Sequence, residues 1–369
     1  MQKEISFFNT YVSPNAAQGV TELLNSTFLS EGKITEQFEK ELCKMFDFKN
    51  IITLNSGTSA LHLALDLLNI KESDEIIIPA QTFIATGLAV LYCKAKPVFA
   101  DINYEDGNLN IESVRSKITS KTKAIICVHW GGYPCNMNGL KDLVKNTNIK
   151  IIEDAAHALG SVYSKENIGN ISDITCFSFQ AIKHLTTGDG GAITVKDPEL
   201  YEKALRKKWF GIDRKNSAVS ELGEREYDLK EMGYKYHLNN YASALGIANL
   251  SGYAARLKNR REIADYYKQE LKNITALQLF KEEPDNKSAY WLFGLHTNNR
   301  PELIRKLKAK KVPTSVVHQR IDKNSIFGGA DLSLINQTKF DNTQLHIPIH
   351  DAIDMETANY IVDAIKSSV

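Results

Sequence analysis

The run Cys176-Phe177-Ser178-Phe179-Gln180-Ala181-Ile182-Lys183-His184-Leu185-Thr186-Thr187-Gly188-Asp189-Gly190-Gly191 opens as an alternating apolar strand and closes in a loop of threonine and glycine. One lysine stands between the two. A lysine among apolar neighbours loses hydration, which lowers its pKa and makes its amine a usable nucleophile. Ser178, five residues earlier, offers a hydroxyl to an anion, and the glycines let a ligand come close to the backbone. Taken alone, the run reads more simply as a strand, a turn and a surface lysine. The upstream sequence changes that balance.

Ile51-Ile52-Thr53-Leu54 reads as a short strand that enters Asn55-Ser56-Gly57-Thr58-Ser59 and then a helix from Ala60 to Asn69. A strand, a glycine turn and a helix start bring free backbone N–H groups and a positive dipole end together, a generic phosphate cradle. A merely capped helix is the simpler reading of this piece by itself. Further short apolar runs follow at Glu75–Ile78, Pro97–Ala100, Ala124–Val128 and Lys150–Asp154, separated by helical or turn-rich segments such as Thr82 to Cys93, Ile111 to Lys117 and Leu140 to Lys145. This alternation predicts an α/β fold whose mostly parallel sheet is covered by helices on both faces. Ligands of such sheets gather at the carboxyl ends of the strands. The Ser56-Gly57-Thr58 turn, Phe83, His129 and Asp154 all fall there.

At the N-terminal side, residues 13–29 read as a helix, 30–34 as a break, and 35–46 as a second helix opened by Thr35 as its cap. After Gly191 come a strand from Ala192 to Val195, a helix over 198–208, and a charged loop from Trp209 to Tyr236. Loops of that length inside compact domains are usually functional. One helix over about 239–273 then leads into the last hundred residues. There, Tyr290–Phe293 and Gln344–Pro348 read as strands, with helices at 300–310 and 354–367. The reading is a large domain over 1–250 and a smaller α+β domain over 251–369.

Composition sets the bounds. Of the 369 residues, 43% are hydrophobic and 24% charged, enough apolar material for a full core. Lys+Arg 45 against Asp+Glu 44 leaves a net charge of +1, which gives no electrostatic reason to expect nucleic acid or an anionic membrane as partner. Five cysteines without C-x-x-C spacing argue against a disulfide framework or a zinc site and for a reducing, cytoplasmic setting. No metal site is expected. The first residues, MQKEISFFNTY, lack the layout of a signal peptide, and the longest weakly polar run, Phe83 to Cys93, is too short to span a bilayer. Neither a G-x-G-x-x-G fingerprint nor a G-x-x-x-x-G-K-[ST] loop is present.

Four pieces fit one known pattern in order and spacing: Asn55-Ser56-Gly57-Thr58-Ser59-Ala60-Leu61, Glu153-Asp154-Ala155-Ala156-His157, Ser178-Phe179-x-x-x-Lys183 and Gly188-Asp189-Gly190-Gly191. Together they resemble the DegT/DnrJ/EryC1/StrS family of pyridoxal-phosphate-dependent sugar aminotransferases, of the aspartate-aminotransferase fold. The resemblance runs from about residue 8 to the C-terminus. It implies pyridoxal 5'-phosphate as cofactor and Lys183 at the Schiff-base position, from which its amine also shuttles the proton. It implies Asp154 as the carboxylate that pairs with the pyridine nitrogen and keeps the ring an electron sink.

The same resemblance places Ser56, Gly57 and Thr58 in a phosphate-binding turn, Ser178 at a phosphate-binding hydroxyl and His157 near the ring's phenolic oxygen. Phe83 falls where an aromatic covers the ring face, although a plain core aromatic fits that position nearly as well. His237, in Gly233-Tyr234-Lys235-Tyr236-His237-Leu238, aligns with a residue that reaches the phosphate of the neighbouring subunit, which implies a homodimer with shared active sites. The substrates implied are an amino donor, glutamate in most relatives, and a keto-sugar carried on a nucleotide.

Two departures stand out. His318-Gln319-Arg320-Ile321-Asp322 replaces a His-Tyr-x-x-Leu-His-like stretch of many relatives. Members that carry histidine in place of the Schiff-base lysine act as sugar 3-dehydratases, whereas here the position is Lys183. Aminotransfer is the reading that follows, with a dehydratase or lyase on the same cofactor, or a non-catalytic regulatory protein of the same fold, as alternatives. The cluster Arg206–Arg214 could meet a diphosphate, or could be a solvated helix end.

Overall fold

A computed structural model describes residues 5–369. Residues 1–4, part of the stretch read for a signal peptide, lie outside it. The helices are α1 (Ala16–Ser26), α2 (Lys33–Phe46), α3 (Gly57–Leu67), α4 (Ile84–Tyr92), α5 (Ile111–Lys117), α6 (Met137–Val144), α7 (Pro198–Lys207), α8 (Asn240–Leu250), α9 (Tyr253–Leu271), α10 (Arg300–Ala309), α11 (Ile335–Thr343) and α12 (Met355–Lys366). Strands β1 (Ile52–Leu54), β2 (Glu75–Pro79), β3 (Lys96–Ala100), β4 (Thr122–Val128), β5 (Lys150–Asp154), β8 (Ile174–Ser178) and β9 (Gly191–Val195) form one sheet in the order β1-β9-β8-β5-β4-β2-β3. A small hairpin, β6 (Val162–Tyr163) and β7 (Glu166–Asn167), stands apart from it.

Six of the seven strands run the same way, and β9 alone is reversed between β1 and β8. The strands read as nearly unbroken apolar runs because both faces are covered. One face is closed by a core that includes Phe38, Leu42, Ile77, Ile125 and Phe177. The other is closed by α3, α4 and α7 over Ile52, Ile76, Ile126 and Ile193. A side chain of this kind stabilises by about 1.5–3 kcal/mol when fully buried, so the sheet is a rigid floor for whatever its strand ends carry.

The C-terminal third adds a three-stranded antiparallel sheet of β10 (Gln278–Leu279), β11 (Phe293–His296) and β12 (Gln344–Ile347). Ile263, Tyr267 and Leu271 of α9 and Ile361 and Ile365 of α12 pack on it. Its core also takes in Trp130 and Tyr133 from the large sheet's loops, with Phe7 and Phe8 from the N-terminal segment packed against it.

Several elements differ from expectation. Thr35 is not a cap: α2 starts at Lys33, and Thr35 is buried, its hydroxyl 3.1 Å from Asn240 Oδ1 and 2.9 Å from Ser243 Oγ. The helix expected from Ala60 starts at Gly57, with the Ser56 hydroxyl accepting from the Ser59 N–H at 3.0 Å. The single helix over 239–273 is two helices, broken at Ser251-Gly252, where Gly252 takes a left-handed φ of 69°. Tyr290–Leu292 precede β11 rather than belonging to it, because Tyr290 has a φ of 49° and cannot pair in a ladder. Helix α11 carries no expectation from the sequence; INQTKFDNT has little apolar periodicity to reveal it.

Candidate active site

The carboxyl ends of β1, β4, β5 and β8 open onto a cavity of about 370 Å³. Ser56, Gly57, Thr58, Phe83, Asp154, His157, Ser178 and Lys183 all line it. His237 does not. It pairs with Leu54 across an isolated bridge and sets its ring 4.3 Å from that of Trp209, away from the cavity. His129, also expected at a strand end, is buried behind the site, where Nε2 meets Glu153 Oε2 at 2.9 Å and Nδ1 accepts from the Cys135 N–H at 3.0 Å. Because Nδ1 accepts, Nε2 carries the ring proton and gives it to Glu153; burial opposes a charge on the ring, while Cys135 and Glu153 favour one.

Lys183 sits on the tight turn that follows β8, its N–H bonded to the Gln180 carbonyl at 2.9 Å. Burial drives its pKa down to about 7, against the opposing pull of the Asp154 charge. Near neutral pH a substantial fraction of this amine is therefore unprotonated and nucleophilic. Asp154 ends β5, with Oδ2 accepting from Thr86 Oγ1 at 2.8 Å and Oδ1 from the Ala156 N–H at 3.2 Å. Burial raises its pKa, while these two donors and Lys183 favour the carboxylate.

His157 is held neutral, its pKa pushed well down by burial and then by Lys183. Its Nδ1 is buried without a hydrogen-bond partner. A buried polar atom left open beside a cavity is ready to bond a guest.

The turn Ser56-Gly57-Thr58 presents the first N–H groups of α3. A Cβ at Gly57 would stand 3.1 Å from Ser178 Cβ, so a side chain there would crowd the hydroxyl that lies next to those N–H groups. An anion is attracted to this end of the helix by the free donors and the dipole. The set therefore comprises an anion cradle, a nucleophilic amine, a buried carboxylate and an open imidazole nitrogen. It suits a phosphorylated aldehyde carrying a basic ring, and pyridoxal phosphate has those parts.

Two cavity residues come from the C-terminal third and lay outside the expected set. Trp291 stacks on His157 at 3.7 Å and 16°, and the Lys183 Nζ lies 3.7 Å from the centre of its ring. His318 lies 5.0 Å from the Phe83 ring and is neutral, its pKa about 4 through burial. Trp291 sits in no local motif, and His318 heads the stretch noted only as a departure from many relatives; the folded chain brings both to the site.

The segment Arg206–Arg214 does not present a free basic cluster. Lys207 pairs with Asp66 at 2.7 Å, Arg214 with Glu31 at 3.0 Å, Lys208 with Glu31, and Arg206 with Glu231 at 3.4 Å. Among the described residues no cluster of three or more His, Cys, Asp or Glu could hold a metal ion, and no helix is long and apolar enough to cross a membrane.

The comparisons with known proteins agree with this geometry. The chain is 37% identical over 320 residues to GDP-perosamine synthase of Escherichia coli O157:H7, covering 85% of each chain. Its fold is similar to that of AtS13 from Actinomadura melliaura, with a TM-score of 0.94, 31% identity and full coverage of both chains. It is also similar to the PLP-form of the putative sugar aminotransferase Spr1654 from Streptococcus pneumoniae, with a TM-score of 0.91, 26% identity, and coverage of 99% of this chain and 98% of that one. Residues 11–366 match the DegT/DnrJ/EryC1/StrS aminotransferase family. The chain belongs to that family and is a pyridoxal-phosphate-dependent aminotransferase.

Proposed function

We propose that this aminotransferase moves an amino group from an amino acid, glutamate in the simplest case, to a keto-sugar carried on a nucleotide. The observation that carries this reading is the meeting of Lys183 and Asp154 in one cavity beside the α3 anion cradle. The Escherichia coli relative, whose name joins GDP to its product, supports the nucleotide.

Pyridoxal phosphate, when bound, supplies an aldehyde for amines and a ring that takes up the electron pair left when a carbon loses its proton. The side chains do the rest. Lys183 would take up the proton that leaves the donor's α-carbon and hand it back, a task suited to an amine that titrates near neutrality. Asp154, oriented by Thr86 and Ala156, holds charge against the ring nitrogen. Ser178 and the N–H groups of Gly57 and Thr58 bind the phosphate, and His157 Nδ1 bonds the phenolic oxygen. Phe83, half exposed at 51%, covers the ring at the mouth.

We further infer a homodimer that shares its active sites through His237. Leu24, Phe28 and Leu29 leave large apolar side chains exposed, and Phe28 and Leu29 line a groove of about 860 Å³ on α1 and the segment after it. Phe28 is 77% exposed. Patches of this kind mark association surfaces. The cytoplasm suits five free thiols. The break at Gly252 and the C-terminal sheet's own core, to which the large sheet's loops contribute Trp130 and Tyr133, support a division into domains near residue 250.

The test combines the protein with glutamate and candidate nucleotide-linked keto-sugars. Release of 2-oxoglutarate in step with amino-sugar formation is expected. Consumption of the sugar without 2-oxoglutarate would assign the chain to the dehydratase or lyase alternative. Borohydride treatment of the cofactor-loaded protein is expected to fix the cofactor on the Lys183 peptide. An adduct on any other lysine would end the assignment of that residue.

A further inference from the structure

We propose that Trp291 is a positioning residue for the reactive amine: its indole face receives the Lys183 ammonium whenever that amine is free, and keeps it in the cavity between chemical steps. The inference rests on the reading of Lys183 as the reactive amine.

Geometry carries it. The Lys183 Nζ stands 3.7 Å from the centre of the Trp291 ring, well inside the range of a cation–π contact. Among the described residues no hydrogen-bond acceptor engages that amine. The ring is itself fixed. Its Nε1 donates to the Ile182 carbonyl at 2.9 Å, and it stacks on His157 and, at 5.1 Å and 23°, on Phe8. From the other flank of Lys183, His184 Nε2 meets the Ala289 carbonyl at 2.8 Å. The residues on either side of the lysine are thus tied to the segment that carries the tryptophan, which sets amine and ring in register.

Charge makes the ring necessary. The groups facing the amine are Asp154 from β5, His157 from the loop after β5, and His318 from the segment between α10 and α11. Both histidines are held neutral by burial, and His184 is neutral for the same reason. Asp189 also lines the cavity but is exposed; among the described residues Asp154 is the carboxylate that acts on an ammonium that burial disfavours. Without a second source of negative potential the protonated amine would be held by a single carboxylate that must also serve the cofactor. The electron-rich face of an indole provides that potential without a competing charge, and a desolvated contact of this kind moves a protonation equilibrium by about one pKa unit, tenfold.

Competitive acetylation of the cofactor-free protein across a pH series, read by mass spectrometry on the Lys183 peptide, measures the midpoint directly. The exposed Lys121 serves as internal reference. The wild-type midpoint is expected near 7. In Trp291→Leu it falls by about one unit, and in Trp291→Phe by less, because a benzene face retains part of the attraction. Fluorinated tryptophans installed at position 291 keep the shape and weaken the face, so the midpoint falls stepwise with the number of fluorines. A midpoint that ignores fluorination, or equal shifts in the Leu and Phe variants, would overturn the proposal. The fluorinated series decides the matter even where Trp291→Leu does not fold. Because the readout is the amine's own titration, this outcome is independent of borohydride mapping and of turnover.

Discussion

Gly191→Ala tests whether the proposed phosphate cradle depends on the reversed strand beneath it. A Cβ at position 191 would lie 2.4 Å from the Ser56 carbonyl carbon and 2.5 Å from both Ser56 O and Gly57 N. Ordinary contacts begin at 3.4 Å, and all three crowded atoms are backbone, so no side chain can turn aside. The Ser56–Gly57 peptide must retreat by about 1 Å. It is held on both sides, by the pairing of Leu54 with Gly191 and by the bond from the Ala60 N–H to Ser56 O at 3.2 Å. The retreat therefore tilts the N–H groups of Gly57 and Thr58 that aim at the anion. Overpacking of this kind costs about 1–3 kcal/mol of stability, and a misplacement of ~1 Å in a binding constellation costs about a hundredfold. Thermal denaturation and cofactor titration by absorbance measure the two effects separately. Gly188→Ala is the control: nothing lies within 4 Å of its Cβ, and its φ of +86° predicts only the left-handed penalty of about 1 kcal/mol. A Gly191→Ala protein with wild-type melting and cofactor affinity would refute the reasoning.

Asp154→Ala is expected to abolish turnover while circular dichroism stays native; full activity would remove its role at the ring nitrogen. The pH dependence of stability carries a sign. Lys183 titrates near 7 in the folded protein and at the ordinary 10.5 when unfolded. The penalty for burying its charge is thus complete below pH 7 and relieved as pH rises toward 10.5. Relative to wild type, a cofactor-free Lys183→Met variant should be more stable by a few kcal/mol at and below neutrality, with the advantage shrinking in alkali; a constant difference across pH would contradict the shift. Phe28→Asp should convert the proposed dimer to monomer in sedimentation; a wild-type protein that sediments as a monomer would end the dimer proposal, and a variant that stays dimeric would place the interface elsewhere.

The parts of the site that could be read in the sequence are those built from one strand end and its turn. Lys183 and Ser178 share a single β8-turn segment, and Gly57 stands where β1 meets α3, so local pattern and chemistry coincide. Trp291 looked like a strand residue because Tyr290-Trp291-Leu292-Phe293 is apolar and aromatic. The left-handed Tyr290 takes it out of the ladder, and no periodicity signals that. His129 sits at a strand end as expected, but its partner Glu153 lies in the neighbouring strand and turns it inward. The break between α8 and α9 was hidden because apolar spacing continues through Ser251-Gly252; the conformation of one glycine makes the difference. The basic look of Arg206–Arg214 was misleading for a related reason, since Glu31 and Asp66, which neutralise it, are far away in sequence.

The stack of Phe8, Trp291 and His157 has a consequence for how the enzyme matures. Its three rings come from the start, the last third and the middle of the chain, and contacts so distant in sequence form late. During synthesis Asp154 and Lys183 leave the ribosome more than a hundred residues before Trp291. Until that segment docks, Lys183 is a hydrated lysine with its ordinary affinity for protons, almost wholly charged at neutral pH and a poor partner for an aldehyde. If Lys183 is the amine that holds the coenzyme, capture would wait for the completed polypeptide, because its lowered affinity for protons comes from burial in the finished fold.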